Sequence, residues 1–255
     1  MAASVGPTRR ADTSPDTLPD IHLPGLDVFA DQVAVARELS QDRHALVLAL
    51  TETLCWHDEN ARAHLRRVQA FVRCLAEEAI TLPCFRGRID ADFIQLVEWC
   101  APLHDLGKVA VPAAVLEKPG ALDVAERRIA ESHTLIGAGI LENAAGQIGC
   151  AGPFIAMARN MARSHHERFD GTGYPDRLAG EAIPLEARIV AIADVYDALR
   201  SPRRYKAGWS HERVLTVMLA ESPGHFDPDL LAVFERCAAR FAEIFGPRLA
   251  IETVG

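Results

Sequence analysis

Residues 165–175 read HHERFDGTGYP, a stretch in which two adjacent histidines run into a turn rich in glycine and acidic residues. A second pair, His104-Asp105, lies upstream and is followed by Leu106-Gly107-Lys108. Imidazoles and carboxylates at this density are the donors that a cluster of divalent metal ions requires. Glycine and proline supply the tight turns that bring such side chains together over a pocket. The two stretches therefore predict a metal centre.

The composition favours one helical domain that acts in the cytoplasm. The 255 residues are 49% hydrophobic but only 6% aromatic, a length and a balance typical of one helical unit. A net charge of −8 argues against a nucleic-acid binder and against recruitment to an anionic membrane surface. The six cysteines form no Cys-x-x-Cys pair, and they are predicted to be reduced core residues. No apolar run is long enough for a membrane span.

Apolar residues recur at three- and four-residue steps from Leu26 onward, which predicts an all-α protein. Residues 1–24 contain four prolines among polar residues and are predicted to be a disordered leader. Residues 25–56 are interpreted as a short N-terminal helical extension, and residues 57–250 as the main helical bundle.

Acidic residues and prolines predict where several helices begin. The sequence Asp123-Val-Ala-Glu126 is typical of a capping box, and the helix that it opens is expected to carry His133. The other predicted boundaries are a break at Asp58–Asn60, a cap at Asp90, a helix leading into His165, a start at Pro184 and closing helices over about 210–220 and 228–245.

The candidate metal ligands differ in how specific their signals are. Asp194 follows the apolar run 189–193, where an isolated carboxylate carries a large desolvation cost unless a cation meets it. A lone histidine such as His64 or His133 is more often a surface or core residue, and His57 competes with His64. Nitrogen and oxygen donors without thiolate favour iron, manganese, zinc or nickel. The candidates are His64, His104, Asp105, His133, His165, His166 and Asp194.

Asp105 and Lys108 are the predicted catalytic residues. A carboxylate has two oxygens, so Asp105 is suited to bridge two ions. Two ions about 3.5–4 Å apart clamp a phosphate ester and lower the pKa of bound water from about 15.7 to about 7. Lys108 is then placed to contact a phosphate oxygen as a point charge, although an ordinary surface lysine is the alternative interpretation.

Three stretches together resemble the HD-GYP subgroup of the HD-domain phosphohydrolases, over about residues 55–235: 104–112, 165–175 and 189–199. The resemblance implies an all-α HD-domain bundle and a centre of two or three metals. It further implies hydrolysis of cyclic di-GMP to linear pGpG, in some members onward to GMP. It implies that the seven candidates are metal ligands, that Lys108, Arg203 and Lys206 bind substrate, and that a signature loop is formed by Asp170, Gly171, Gly173, Tyr174 and Pro175.

The sequence departs from the family pattern at two positions that affect these expectations. Asn60 stands where some members have a glutamate for a third ion, so two divalent ions are expected, iron or manganese first and nickel or zinc as alternatives. Pro202-Arg203-Arg204-Tyr205 replaces the usual Asp-Arg-Pro-Tyr, which predicts a rearranged loop. The leading residues are too few for a receiver domain, so regulation is expected from a partner, an oligomer interface or metal loading.

Two alternative functions remain open. In the leading hypothesis the substrate is cyclic di-GMP, and in the first alternative it is the mixed cyclic GMP-AMP dinucleotide. In the second alternative the protein is a signalling scaffold that docks a diguanylate cyclase or another signalling protein. A homodimer is also among the expected assemblies, whereas nucleic acid and membrane are not expected partners.

Overall fold

The computed structural model describes residues 45, 47, 58–148, 152–202, 207–221 and 224–246. Within these ranges there is no β-strand, only an isolated bridge between Arg86 and Ile89, and the predicted all-α class is confirmed. The predicted leader, residues 1–24, lies outside the described residues. So does the predicted extension, residues 25–56, apart from Ala45 and Val47, which are helical.

Beyond Ala45 and Val47, the described part of the chain contains nine α-helices. They are α1 (Glu59–Ala79), α2 (Ala91–Cys100), α3 (Ala113–Leu116), α4 (Val124–Glu131), α5 (His133–Ile148), α6 (Pro153–Ser164), α7 (Leu185–Arg200), α8 (His211–Thr216) and α9 (Pro228–Phe245). Short 3₁₀ turns connect some of them, including Ala101–Leu103 and Leu106–Ala110 on either side of His104-Asp105. A π turn, Val217–Glu221, continues α8.

Most helices begin where the sequence predicts. Asp58 caps α1 by accepting hydrogen bonds from the backbone N–H groups of Asn60 and Ala61, and Asp90 caps α2 by accepting one from Phe93. Asp123 and Glu126 form the complete capping box that opens α4. Each cap satisfies N–H groups that have no partner within the helix, so the first turn is fixed locally by the sequence.

The helix that was expected to run from Asp123 through His133 is in fact two helices, α4 and α5, so that prediction was wrong. Three successive side chains, those of Ser132, His133 and Thr134, donate to carbonyl oxygens three residues earlier. A continuous helix would use those carbonyls for its own backbone N–H groups. The side chains therefore compete with the helix at this point and break it.

Aromatic rings from α1, α7 and α9 form the centre of the core. Phe71 stacks on Phe241 with ring centroids 4.5 Å apart, and Tyr196 packs edge-on against both rings at 5.2 and 5.1 Å. All three are fully buried, and the Tyr196 hydroxyl is satisfied by a 2.8 Å hydrogen bond with His211 Nδ1. This packing fixes the position of α7 along α1.

The cysteines largely follow the prediction of reduced core residues. Cys74, Cys100 and Cys237 are buried free thiols. Cys84 is also free, but it is exposed because the short turn that contains it, Pro83–Phe85, buries Phe85 instead. Cys55 and Cys150 lie outside the described residues. No helix in the described ranges is both long enough and apolar enough to cross a membrane.

Candidate metal centre

The seven predicted ligands come from five parts of the fold, and all of them are described residues. One ligand lies within α1, one within α7 and one at the start of α5. The turns that follow α2 and α6 each contain two ligands. Helical bundles build metal centres by projecting donors from several elements into one space. In chain order the residues are His64, His104, Asp105, His133, His165, His166 and Asp194.

One group of donors surrounds the first oxygen of Asp105. His133 Nε2 lies 3.5 Å and His165 Nε2 lies 3.7 Å from Asp105 Oδ1, and the two imidazole nitrogens are 3.4 Å apart. His166 belongs to the same group, in which one donor atom from each of the four side chains lies within 4.8 Å of the others. This is the spacing of donors around a single ion site.

A second group lies on the other side of Asp105. His104 Nε2 is 3.3 Å from Asp105 Oδ2, and His64 joins these two within 4.8 Å. Asp194 Oδ1 lies 3.6 Å from His64 Nε2 and 4.0 Å from His104 Nε2. Asp105 is therefore shared by both groups, with one carboxylate oxygen directed at each.

Three of the imidazoles are oriented by the backbone. The Nδ1 atoms of His104, His133 and His165 donate to carbonyl oxygens, since a carbonyl can only accept a hydrogen bond. With Nδ1 protonated, Nε2 of each ring carries the lone pair that faces the cluster. The acceptors are Ala101 O at 2.7 Å, Ala130 O at 2.6 Å and Met161 O at 2.9 Å, respectively.

Two buried atoms in the cluster fit a bound cation. His104 Nε2 and Asp105 Oδ1 have no hydrogen-bond partner among the described residues, although both are removed from solvent. Buried polar atoms are normally satisfied, and an unpaired imidazole lone pair or carboxylate oxygen in the interior is costly unless it meets a cation. The donor set, nitrogen and oxygen without thiolate, suits iron, manganese, zinc or nickel.

The electrostatics of the cluster favour the protonation states that metal ligands need at His133, His166 and Asp105. Burial lowers the pKa of His133 to about 4 and that of His166 well below its ordinary value, so both imidazoles are neutral. Without a metal ion, Asp105 raises the pKa of His104 although burial opposes this, and His104 and Lys108 in turn hold the pKa of Asp105 well below its usual range although burial alone would raise it. Asp105 is accordingly a carboxylate.

Gly107 brings the Asp105 turn against the start of α5. A Cβ atom at this position would lie 1.9 Å from the carbonyl oxygen of His133 and 2.6 Å from the amide nitrogen of Gly137. Only a residue without a side chain permits this approach, which places His133 beside Asp105. Lys108 follows in the same turn, and its Nζ contacts Asp105 Oδ2 at the half-exposed edge of the cluster.

The predicted signature loop is held by two carboxylates. Glu167 is buried and accepts hydrogen bonds from the backbone N–H groups of Asp176 at 2.7 Å and Leu178 at 3.1 Å. Asp170 accepts from both the backbone N–H and the hydroxyl of Thr172, and these bonds lower its pKa to about 2. Hydrogen bonds from nearby backbone and hydroxyl groups to these two carboxylates thus fix the conformation of the loop.

The remaining residues of the loop lie against one of the candidate ligands. The Tyr174 ring stacks on the His166 imidazole with centroids 4.8 Å apart, and the Tyr174-Pro175 peptide bond is cis. Gly171 has a φ of 78°, a conformation that favours glycine. A Cβ at Gly173 would lie 2.6 Å from the His166 carbonyl oxygen. The close approach at Gly173 and the stacked ring together restrict His166.

Replacing Glu167 with alanine is expected to destabilise the protein by about 1–3 kcal/mol, because the N–H groups of Asp176 and Leu178, just after the signature loop, lose a part-buried acceptor and each such hydrogen bond contributes about 0.5–1.5 kcal/mol. Urea denaturation measures the change. Glu181→Ala is the matched control, since among the described residues its exposed carboxylate is paired with Arg88 at the surface. Equal effects of the two substitutions would contradict the role given to Glu167.

Sequence reasoning missed two carboxylates near the cluster, Glu167 and Asp197. Asp197 is fully buried in α7 and its Oδ2 lies 2.7 Å from His64 Nδ1. The signal was present, because Asp197 lies one turn after Asp194 in the same apolar helix and carries the same desolvation cost. Arg203 and Lys206, which were expected to bind substrate, lie outside the described residues.

The comparisons with known proteins place the chain in a family. Residues 50–230 match the family model described as HD domain. A cyclic di-GMP phosphodiesterase of Vibrio cholerae is 39% identical over 211 residues, 83% of this chain and 43% of that protein. The cyclic di-GMP phosphodiesterase response regulator RpfG of Xanthomonas campestris is 36% identical over 84% of this chain and 53% of its own length. A 3′3′-cGAMP-specific phosphodiesterase 2 of V. cholerae is 32% identical over 83% of this chain and 38% of its own length.

The chain thus spans about half the length, or less, of these relatives. Among solved structures, Bd1817, a HDG"Y"P protein from Bdellovibrio bacteriovorus, has a TM-score of 0.51 at 17% identity, covering 70% of this chain and 53% of that one. This likeness concerns the fold alone. Taken with the family match and the two motifs, these relatives show that the chain belongs to the HD-domain family, as a member of the HD-GYP type.

Proposed function

We propose that this protein is a metal-dependent phosphodiesterase that hydrolyses cyclic di-GMP to pGpG, GMP or both. The observation that carries the proposal is the position of Asp105, whose two oxygens face two separate groups of donors. A carboxylate shared in this way is the bridge that a two-ion phosphodiesterase requires. The relatives are named as phosphodiesterases of cyclic dinucleotides, which supports the same substrate class for this protein.

Each part of the site has a role in this proposal. Two divalent ions, when bound, would supply hydroxide at neutral pH and offset charge on a phosphodiester. His133, His165 and His166 would hold one ion with Asp105, and the remaining donors would hold the other. Lys108 would contact a non-bridging phosphate oxygen of the substrate. Arg203 and Lys206 would bind the second phosphate or a guanine base.

Iron or manganese is the proposed metal, with nickel or zinc as alternatives, and two ions are proposed because Asn60 offers no carboxylate for a third. To test this, metal-free protein is reloaded anaerobically with each metal in turn and incubated with cyclic di-GMP, and the products are separated chromatographically. We expect pGpG or GMP to form with iron or manganese. No product with any of the four metals would refute the proposed activity.

A mixed cyclic GMP-AMP dinucleotide is the second candidate substrate, because one relative is named as specific for 3′3′-cGAMP. The two dinucleotides share the phosphodiester that the site would cleave and differ in one base. Comparing kcat/KM for both substrates with the same metal-loaded protein decides between them. A preference for cyclic GMP-AMP would replace the substrate and keep the reaction.

Lys108→Ala is expected to slow turnover about 10–100-fold, the factor that corresponds to losing one charged hydrogen bond of about 1.5–3 kcal/mol. The metal content should remain unchanged, because an ammonium group is not a metal ligand. Steady-state kinetics together with elemental analysis of the same preparation measure both quantities. Loss of metal in this variant would show that Lys108 supports the centre and not the substrate.

A further inference from the structure

Asp197, next to the metal centre, forms hydrogen bonds with three side chains. Its Oδ2 lies 2.7 Å from His64 Nδ1, 2.9 Å from Arg67 Nη2 and 3.1 Å from Ser201 Oγ, while Oδ1 accepts from Arg67 Nε at 2.5 Å. Arg67 therefore binds the carboxylate through two nitrogens, which fixes the plane of the carboxylate. Asp197 itself is fully buried.

His64 differs from the other oriented imidazoles in where it lies. His104, His133 and His165 occupy helix ends or turns, where a backbone carbonyl accepts from Nδ1. His64 lies inside α1, where backbone carbonyls accept from the N–H groups of the helix itself. Its Nδ1 is paired instead with a side chain from another helix. Asp197, on α7, supplies that acceptor.

The direction of the ring follows from this contact. Because a carboxylate of this geometry accepts from Nδ1, the lone pair of His64 is at Nε2. That atom faces Asp194 Oδ1 at 3.6 Å, on the side of the second donor group. An ion pair between Arg67 and Asp197 that served packing alone would not require the third, 2.7 Å contact to the imidazole.

We propose that Asp197 is the positioning residue that makes His64 a ligand of one of the two ions, and that Arg67 holds Asp197 in place for this purpose. The inference rests on the two-ion centre of the proposed function and adds a site-specific role within it. Carboxylates that accept from a metal-bound imidazole fix its orientation, and their loss costs about 10–100-fold in metal affinity.

The test is a titration of metal-free protein with Co²⁺, followed by calorimetry and by the visible absorption of the bound ion. For the wild type we expect two ions per chain. For Asp197→Asn we expect the affinity of one ion to fall about 10–100-fold while the other is unchanged. The ion that is weakened is the one held by His64 and His104, and the one retained is held by His133, His165 and His166.

Two comparisons separate positioning from general damage. The double variant His64→Ala/Asp197→Asn should bind cobalt no more weakly than His64→Ala alone, because Asp197 acts through that ring. Asp227→Asn removes another buried carboxylate, which hydrogen-bonds Arg188 and the first turn of α9. This control should lower the unfolding midpoint and leave both affinities intact.

The outcomes that overturn the inference differ from those that overturn the proposed function. Wild-type affinity for both ions in Asp197→Asn, or an equal loss at both, would overturn the positioning role. Further weakening in the double variant beyond His64→Ala would do the same. Binding of fewer than two ions by the wild type would overturn the two-ion centre, on which the proposed function itself depends.

Discussion

Replacing Asp105 with alanine is expected to abolish phosphodiesterase activity and to reduce the metal content of the protein by at least one ion per chain. Both donor groups include this carboxylate, so a single substitution removes an oxygen from each. Water that is not bound to metal keeps a pKa of about 15.7 instead of about 7, so the nucleophile is lost at neutral pH. Elemental analysis and product chromatography on the same sample measure both effects.

Asp105→Asn is the matched control for shape. The amide has nearly the volume of the carboxylate, but it is uncharged and only one of its two polar atoms is an oxygen. One donor group should therefore lose its oxygen while the other keeps a neutral one, and metal content should fall less than in the alanine variant. Full metal occupancy in Asp105→Ala would show that the carboxylate does not bridge two ions.

Gly107→Ala is expected to destabilise the protein by about 3 kcal/mol, the upper end of the usual cost of overpacking. The added Cβ would meet the carbonyl oxygen of His133 at 1.9 Å, and backbone atoms cannot rotate away as a flexible side chain can. For a domain of this size that corresponds to a decrease in Tm of roughly 6–12 °C. The same displacement would separate His133 from Asp105, so metal affinity should fall as well.

Gly139→Ala provides a control in α5, the helix that Gly107 contacts. A Cβ at Gly139 would meet no atom within 4 Å, and alanine in a helix interior is more stable than glycine by about 0.5–1 kcal/mol. Thermal unfolding should therefore show a lower Tm for Gly107→Ala and a higher Tm for Gly139→Ala. A Gly107→Ala variant as stable as the wild type would mean that the Asp105 turn does not need its close approach to α5.

The sequence predicted the candidate ligands and most of the helix starts for reasons that are local. An acidic residue before a helix satisfies the first N–H groups wherever the helix later packs, so Asp58, Asp90 and Asp123 could be identified without a fold. Paired ionisable residues beside glycine turns also have few structural uses, which identified His104-Asp105 and His165-His166.

The break between α4 and α5 was not predictable in the same way. Ser132, His133 and Thr134 are all compatible with a helix, and only the observed hydrogen bonds show that their side chains take the carbonyls instead. The break matters for the site, because it places His133 at the start of a new helix that packs against Gly107.

By itself, the sequence determined which residue types are available for metal and phosphate chemistry, and the caps and periodicity that make the chain helical. The tertiary structure decided how those residues are distributed in space. Only the packing of α7 against α1 brings Asp197 to His64, and only the turn at Gly107 brings His133 to Asp105. Such contacts join residues far apart in the chain, and their distances depend on how whole helices pack, which no local pattern encodes.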